Sequence, residues 1–302
     1  MKKSLYLIGG SGFIGKNIVR NLYDKYEISV FDKYIDKAFF AQYPKVETYE
    51  MDLVEEQIPR EAHFSPDYII SLAAIVTAER DMSLFDGMIR SNLKVLLNLF
   101  ERFKDDSHLK LLVQFGSSEE YGSEDAPFVE GQREIPTSPY ALVKQLTVNT
   151  GIMLWRNYRF PVVAVRPGNV FGPMQPKTKF IPYVIDHLKK NETIEVTPCE
   201  QKRDTLYVDD FVWMLESLLQ VPEKCRGEII NLSSGESVQQ KDIIEICKAH
   251  IGSSSVVQYG ALPYRANEVM DLRCSIAKFE QITGKSVRFD LEERLKNYID
   301  SL

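Results

Sequence analysis

The feature that most constrains this chain is an alternation along its first two-thirds, in which short apolar runs are followed by longer segments with helical periodicity. Candidate strands fall at 5–8, 28–31, 46–51, 68–72, 111–115 and 162–165, and periodic segments at 14–26, 83–103 and 138–158 lie between them. A strand that returns to a parallel neighbour needs a long crossover, usually a helix, and helices on both faces leave strands that read as apolar runs. The alternation therefore predicts an α/β chain with a doubly wound parallel sheet.

After Val170 the pattern changes. Pro173, Pro176, Pro182 and Pro198 punctuate the chain, and helical patterns follow at 180–190, 209–220, 240–251 and 291–301. Short strands at 205–208 and 228–232 are expected to return to the sheet. The expected division is a first domain of 1–170 plus about 204–232, and a smaller, partly interleaved C-terminal lobe of about 171–203 plus 233–302. A chain of 302 residues holds enough material for such a pair.

Composition narrows the function. The apolar fraction of 44% and charged fraction of 26% are those of an ordinary globular protein. A net charge of -6 argues against nucleic acid or an anionic membrane as the main partner, since neither is drawn to an acidic surface. No apolar run reaches the length of a membrane span, and the N-terminal run is too short for a signal peptide, so a cytoplasmic location is expected. Cys199, Cys225, Cys247 and Cys274 share no metal-binding spacing, and His63, His108, His187 and His250 are scattered. All eight read as ordinary core or surface residues, with no metal site.

Gly9-Gly10-Ser11-Gly12-Phe13-Ile14-Gly15 follows the first strand and opens the first helix. Alone, a glycine triplet is equally a tight turn. Between strand and helix it has the context of a dinucleotide-binding loop, where backbone approaches a pyrophosphate and the helix N-terminus supplies N–H groups. Asp32 ends the second strand, where a carboxylate accepts from ribose hydroxyls and repels a 2′-phosphate. NAD(H) is favoured. Lys33 beside it is either a solvated turn residue or a contact that tolerates NADP(H).

Tyr140 and Lys144 stand four residues apart at the start of a helical pattern, so they share one face. An ammonium near a partly buried phenol is expected to lower its pKa and let Tyr140 trade a proton with a substrate oxygen. Any helix can carry such a pair by chance. It gains weight from Gly116-Ser117-Ser118-Glu119-Glu120-Tyr121-Gly122, which follows an apolar strand and places hydroxyls at the sheet edge where doubly wound folds bind ligands. Ser117 is the candidate for orienting the reacting oxygen; simple capping of a turn is its other reading.

In this combination the sequence resembles the extended short-chain dehydrogenase/reductases that modify nucleotide sugars, with a Rossmann-like fold, along nearly the whole chain. The resemblance implies cofactor contacts from Gly9, Gly12, Phe13, Ile14, Gly15, Asp32, Asp52, Leu53, Leu72, Ala73, Ala74, Asn92, Tyr140 and Lys144. It implies Ser117, Tyr140, Lys144 and Glu119 as catalytic. It places Ser118, Asn169, Lys179, Phe180, Arg203 and Arg265 on the nucleotide-diphosphate sugar, the two arginines clasping phosphate; guanidinium forks suit that task. Singly, either arginine is equally a surface ion pair. It further implies a homodimer built through a four-helix bundle. Ile8 and Ser71 depart from the threonine and histidine that many members carry.

Three reactions share this machinery: 4-ketoreduction, 4-epimerisation and 4,6-dehydration. Glu119 keeps dehydration open, while Ser118 stands where one dehydratase branch carries an aspartate. The stretches around Phe180, Arg203 and Arg265 look most like reductases of CDP-, TDP- or GDP-linked 4-keto-6-deoxyhexoses, the CDP-abequose synthase type among them. A dinucleotide-binding regulator on the same fold is the non-enzymatic alternative, and such proteins tend to lack part of the catalytic set.

Overall fold

The computed structural model describes residues 2–60, 65–76, 81–265 and 267–302; His63 lies outside the described residues. The strands are β1 (Lys3–Ile8), β2 (Tyr26–Asp32), β3 (Glu47–Glu50), β4 (Tyr68–Ser71), β5 (Leu111–Phe115), β6 (Val162–Pro167), β7 (Asn169–Phe171), β8 (Ile194–Val196), β9 (Lys202–Arg203), β10 (Thr205–Tyr207), β11 (Ile229–Leu232), β12 (Val238–Gln239), β13 (Val257–Tyr259) and β14 (Asp271–Leu272). The helices are α1 (Phe13–Leu22), α2 (Lys37–Phe40), α3 (Phe85–Ile89), α4 (Val95–Phe103), α5 (Pro139–Tyr158), α6 (Phe180–Lys190), α7 (Val208–Leu219), α8 (Pro222–Cys225), α9 (Gln240–Ile251), α10 (Ala277–Thr283) and α11 (Leu291–Asp300).

Seven strands form the central sheet in the order β3-β2-β1-β4-β5-β6-β11, each pair parallel. Side chains alternate across it. Leu5, Leu7, Ile28 and Val30 pack with Ile18 and Leu22 of α1 and Phe211 and Leu218 of α7. Tyr6, Ile8, Phe31 and Ile69 point the other way, onto Val95, Leu96, Leu99 and Phe103 of α4 and Leu154 of α5. The doubly wound α/β architecture expected from the alternation is present. A separate apolar core gathers Val184 and Leu188 of α6, Ile244 and Cys247 of α9, and Leu295 and Ile299 of α11.

Two expectations need correction. The strand near 205 does not return to the central sheet: β10 pairs in parallel with β7, and the chain turns into α7 at Val208. The segment 83–103 is no single helix. A 3-10 turn, Met82–Leu84, leads into α3, and a π-helical turn, Arg90–Lys94, separates α3 from α4. The four cysteines are all buried and unbonded to one another, and burial pushes the Cys247 thiol up to about 12.

Asp204, between β9 and β10, ties these short strands to the end of the sheet. Its buried carboxylate accepts from Ser234 N at 2.7 Å, Ser234 Oγ at 2.6 Å, Gly235 N at 3.1 Å and Cys274 N at 3.2 Å, while its carbonyl accepts from Asn169 N at 2.9 Å. Backbone N–H groups stripped of a buried acceptor are costly. Asp204→Ala is therefore expected to lower stability by at least about 3 kcal/mol in urea denaturation, from three N–H groups losing their acceptor together.

Candidate active site

A cleft of about 1150 Å³ opens at the C-terminal ends of the central strands. One end is built by the turn between β1 and α1. Gly9 has φ +78, and a Cβ there would meet Ala73 N at 2.7 Å; a Cβ on Gly15 would meet Gly10 O at 2.4 Å. Those two glycines are demanded by packing. Gly12 is different: its Cβ would find only Gly9 O, at 3.7 Å, and would project at the cleft. As N-cap of α1 it leaves the helix with no side-chain cap and no acid in the first turn, so the first N–H groups and the positive helix end suit an anion. Asp32 accepts from Ser11 N at 2.9 Å and stiffens this loop. These features fit the pyrophosphate and ribose of a dinucleotide. The Lys33 ammonium is held on Asp52 at 2.9 Å.

The other end gathers the serine, tyrosine and lysine expected from the sequence. Ser138 caps α5, accepting from Ala141 N at 3.1 Å, and Pro139 at the first helical position fixes the start of the helix. One face of its first turns carries Tyr140 and Lys144, both buried. The Ser117 side chain stands near the phenol and opposes its upward shift. Ser117 also caps the 3-10 turn Ser118–Tyr121, accepting from Glu119 N at 3.2 Å, as its capping reading expects. The lysine ammonium donates to Phe115 O at 3.1 Å and lies 5.8 Å from the Tyr140 ring centre. Burial brings it down to about 8, against the opposing pull of Glu120.

The expected lowering of the phenol by Lys144 is not what the structure holds. Burial, then the Glu119 and Glu120 carboxylates, push Tyr140 well above its ordinary value, with Ser117 acting the other way. The phenol is kept in its neutral, proton-donating form. Behind Ser117, Glu120 is fully buried and paired with Arg166 at 2.8 Å, and Arg166 also pairs with Glu134. Neither Glu120 nor Arg166 stood out in the sequence as a site residue. The signal was a pair of adjacent glutamates after a strand, and only the 3-10 turn decides which one points inward.

Gly9, Gly12, Phe13, Ile14, Gly15, Asp32, Asp52, Leu53, Leu72, Ala73, Ala74, Ser117, Ser118, Glu119, Tyr140, Lys144, Asn169, Lys179 and Phe180 all line the cleft. Asn92 stands behind its wall in the π-helical turn, its amide donating to Met88 O at 2.8 Å. Arg203 turns from the cleft to Val269 O at 2.7 Å and to the Glu268 carboxylate, and Arg265 is exposed beyond it. The cleft also gains Ile75, Val76, Gln175, Gln240 and Ile243.

A doubly wound sheet with a glycine-rich first turn and a Ser-Tyr-Lys set at its edge defines a nicotinamide-dependent short-chain dehydrogenase/reductase. A sequence model described as "NAD dependent epimerase/dehydratase family" matches residues 5–233, and the chain belongs to that family as an NAD-dependent enzyme of the extended class. The chain is 31% identical over 137 residues to CDP-abequose synthase of Salmonella muenchen, a match that spans 45% of this chain and less than half, 46%, of that relative. It superposes with TM-score 0.88 at 25% identity on UDP-N-acetylglucosamine 4-epimerase of Methanobrevibacter ruminantium in complex with UDP-N-acetylmuramic acid, covering 99% of this chain and 98% of the other. UDP-glucuronic acid 4-epimerase of Bacillus cereus, in complex with UDP-glucuronic acid and NAD, shares the fold with TM-score 0.90 at 21% identity, covering 98% of each chain.

The glycines give a paired test. Gly15→Ala should unfold at a lower temperature, because its methyl meets backbone that cannot yield, an overpacking cost of about 1–3 kcal/mol. Gly12→Ala should melt with the wild type yet bind NAD about tenfold more weakly, a change of about 1.4 kcal/mol readable by calorimetric titration.

Proposed function

We propose that this enzyme reduces the C4 ketone of a nucleotide-linked 4-keto-6-deoxyhexose. The observation that carries the reading is the Tyr140 phenol, held neutral in the cleft by burial, with Ser117, Ser118 and Glu119 as its polar neighbours on the adjoining turn. NAD(H), when bound, supplies the hydride exchanged at C4. Tyr140 then delivers its proton to O4 as the carbonyl becomes an alcohol, Ser117 orients that oxygen, and the Lys144 ammonium favours the charge that develops there. Dehydration would further need to take a proton from C5 and to protonate the departing hydroxyl. Glu119 offers one such carboxylate, whereas the neighbour at position 118 is a serine. The kinship with CDP-abequose synthase points the same way. The fit to a 4-epimerase over nearly the whole chain favours a second reading, in which Tyr140 would take the O4 proton while NAD accepts the C4 hydride, and would give the proton back when the hydride returns to the opposite face of C4.

In this reading NAD(H) is preferred over NADP(H), because Asp32 and Asp52 line one end of the cleft and Lys33 is engaged by Asp52. Residues of about 171–203 and 233–302 form the sugar-nucleotide lobe, with Asn169, Lys179 and Phe180 at its entrance. No helix among the described residues is long and apolar enough to cross a membrane. Helix α5 leaves Leu142, Leu146 and Met153 exposed on its outer side, and a homodimer through this stripe would cover it.

Three measurements test the reading. CDP-, TDP-, GDP- and UDP-sugars, including 4-keto-6-deoxy forms, are incubated with NADH or NADPH and followed by mass spectrometry. Stoichiometric loss of NADH with a 4-keto-6-deoxy sugar is expected; loss of water from an intact hexose, or C4 inversion without cofactor consumption, overturns the reductase assignment. Tyr140→Phe should lose on the order of 100-fold or more in turnover, the scale of general acid catalysis, with NAD affinity retained. Light scattering at micromolar concentration should give a dimer that Leu146→Glu splits; a wild-type monomer removes the interface proposal.

A further inference from the structure

Gln240 opens α9 and lines the cleft, yet no role expected from the sequence accounts for it. Its backbone and its amide are both held by one residue. Gln240 N donates to Gln201 O at 3.1 Å, and Gln240 Oε1 accepts from Gln201 Nε2 at 2.6 Å. Gln201 is itself buried, 5% exposed, and its Nε2 also donates to Thr197 Oγ1 at 3.2 Å. Turned over, the Gln201 amide would set its oxygen against that of Gln240, so the pair holds one sense. Gln201 Oε1 stays buried without a donor among the described residues, which is costly to keep for packing alone. The Gln240 oxygen is thus engaged inside the lobe. Its NH2 has no partner among the described contacts and is left to the cleft.

The surroundings limit what that NH2 can meet. The first two N–H groups of α9 are already engaged, Gln240 N by Gln201 O and Lys241 N by Cys199 O at 2.9 Å. Asp242 adds a carboxylate to the same first turn. This helix end therefore offers no anion site. Ile243, one turn on and on the same face, also lines the cleft, and Phe180 and Ile181 bring the start of α6 to it. Apolar walls with one fixed donor suit a flat, neutral ring that presents a carbonyl.

We infer that Gln240 is a specificity-determining residue, its NH2 donating to a carbonyl oxygen on the base of the nucleotide-linked substrate, with Gln201 as the positioning residue that holds the amide in that sense. Locked in this way, the amide donates to the cleft and does not accept from it. A base edge with an amino group at that point is disfavoured, because two donors then face each other unpaired. The inference rests on the reading that the substrate carries a nucleotide, and is independent of which reaction occurs at C4.

The test is nucleotide binding and needs no sugar. NAD-loaded protein is titrated calorimetrically with CDP, TDP, GDP and UDP. In Gln240→Leu the tightest of the four is expected to weaken about tenfold, the scale of one desolvated hydrogen bond, and the ratio between the tightest and the weakest binder to narrow. Unchanged affinities overturn the inference. So does an equal loss for all four, which would place the contact on the pentose or the phosphates that they share. Should Gln240→Leu fail to fold by circular dichroism, Gln240→Glu keeps an oxygen toward Gln201 and turns a second one to the cleft. Its charge acts on all four diphosphates alike, so the narrowed ratio is the readout there, and an unchanged ratio overturns the inference. Gln201→Leu frees the amide without reaching the cleft and should narrow the ratio too, where a purely structural role would lower the melting temperature alone; a ratio unmoved in that variant overturns the positioning role. A wild type that binds none of the four removes the nucleotide reading and Gln240 with it, whereas a wild type that binds and a Gln240→Leu that binds equally well strike Gln240 alone.

Discussion

The structure depends on the reversal of strand order at β1. Strand β2 lies on one side of it and β4 on the other, so the connections leaving the two halves of the sheet turn to opposite faces and open a crevice between them. Everything in the candidate site follows from that crevice. The glycine turn leaves β1, Asp32 ends β2, Leu72, Ala73 and Ala74 follow β4, and Ser117 follows β5. The closeness of the two halves is visible at Gly9, where even one methyl would strike the backbone of Ala73. The two halves come too close at that point to admit a side chain, and the strand ends deliver polar residues further along the cleft.

Charge is distributed along the cleft in a way that limits its ligand. The cations lining it among the described residues are Lys33, Arg90, Lys144 and Lys179. Lys33 is paired with Asp52 and Arg90 with Glu55, and Lys144 sits deep beside Glu120. An anionic dinucleotide therefore meets mainly backbone N–H groups at the start of α1, not a field of side-chain cations. Such a site holds a pyrophosphate by geometry and helix dipole while the chain as a whole stays acidic. Gly12 leaves open space before that site, since a Cβ there would meet only Gly9 O, at 3.7 Å.

The architecture was legible in the sequence wherever strands are buried on both faces. Runs such as Leu5-Tyr6-Leu7-Ile8 and Leu111-Leu112-Val113 have no polar side to hide and so announce the central sheet. The cleft-lining set was legible for a related reason: glycine turns, strand-end hydroxyls and a tyrosine–lysine face are local patterns. What stayed hidden depends on tertiary pairing. Strand β10 is three residues long and could join any nearby edge; it pairs with β7 because Asp204 anchors the segment beside Asn169. The π-helical turn at Arg90–Lys94 adds no signature to the periodicity of its flanks. Arg203 reads as a phosphate ligand from its neighbours in sequence, yet its guanidinium is held by a carbonyl and a carboxylate of the segment 268–269, which no local pattern foretells.

Glu119 and Glu120 show how one turn divides equivalent residues between two tasks. Both follow the same strand, and their side chains are chemically identical. Residues on a 3-10 turn are spaced by about 120°, a consequence of three residues per turn, so neighbours cannot share an environment. Residue 120, three positions after the N-cap Ser117, is carried back over the start of the turn, where it meets the Ser117 N–H, the gap left by Gly116, and Arg166. Residue 119 is left on the cleft side, at the edge of the phenol. The inward carboxylate is tolerated because it has a cation and a backbone donor; the outward one keeps access to solvent and to whatever the cleft receives. The two carboxylates both press the Tyr140 phenol toward its protonated form, one from within the fold and one from the cleft. A ligand can alter the second of these influences on binding. Burial, the largest influence on the phenol, and the inner carboxylate both belong to the fold.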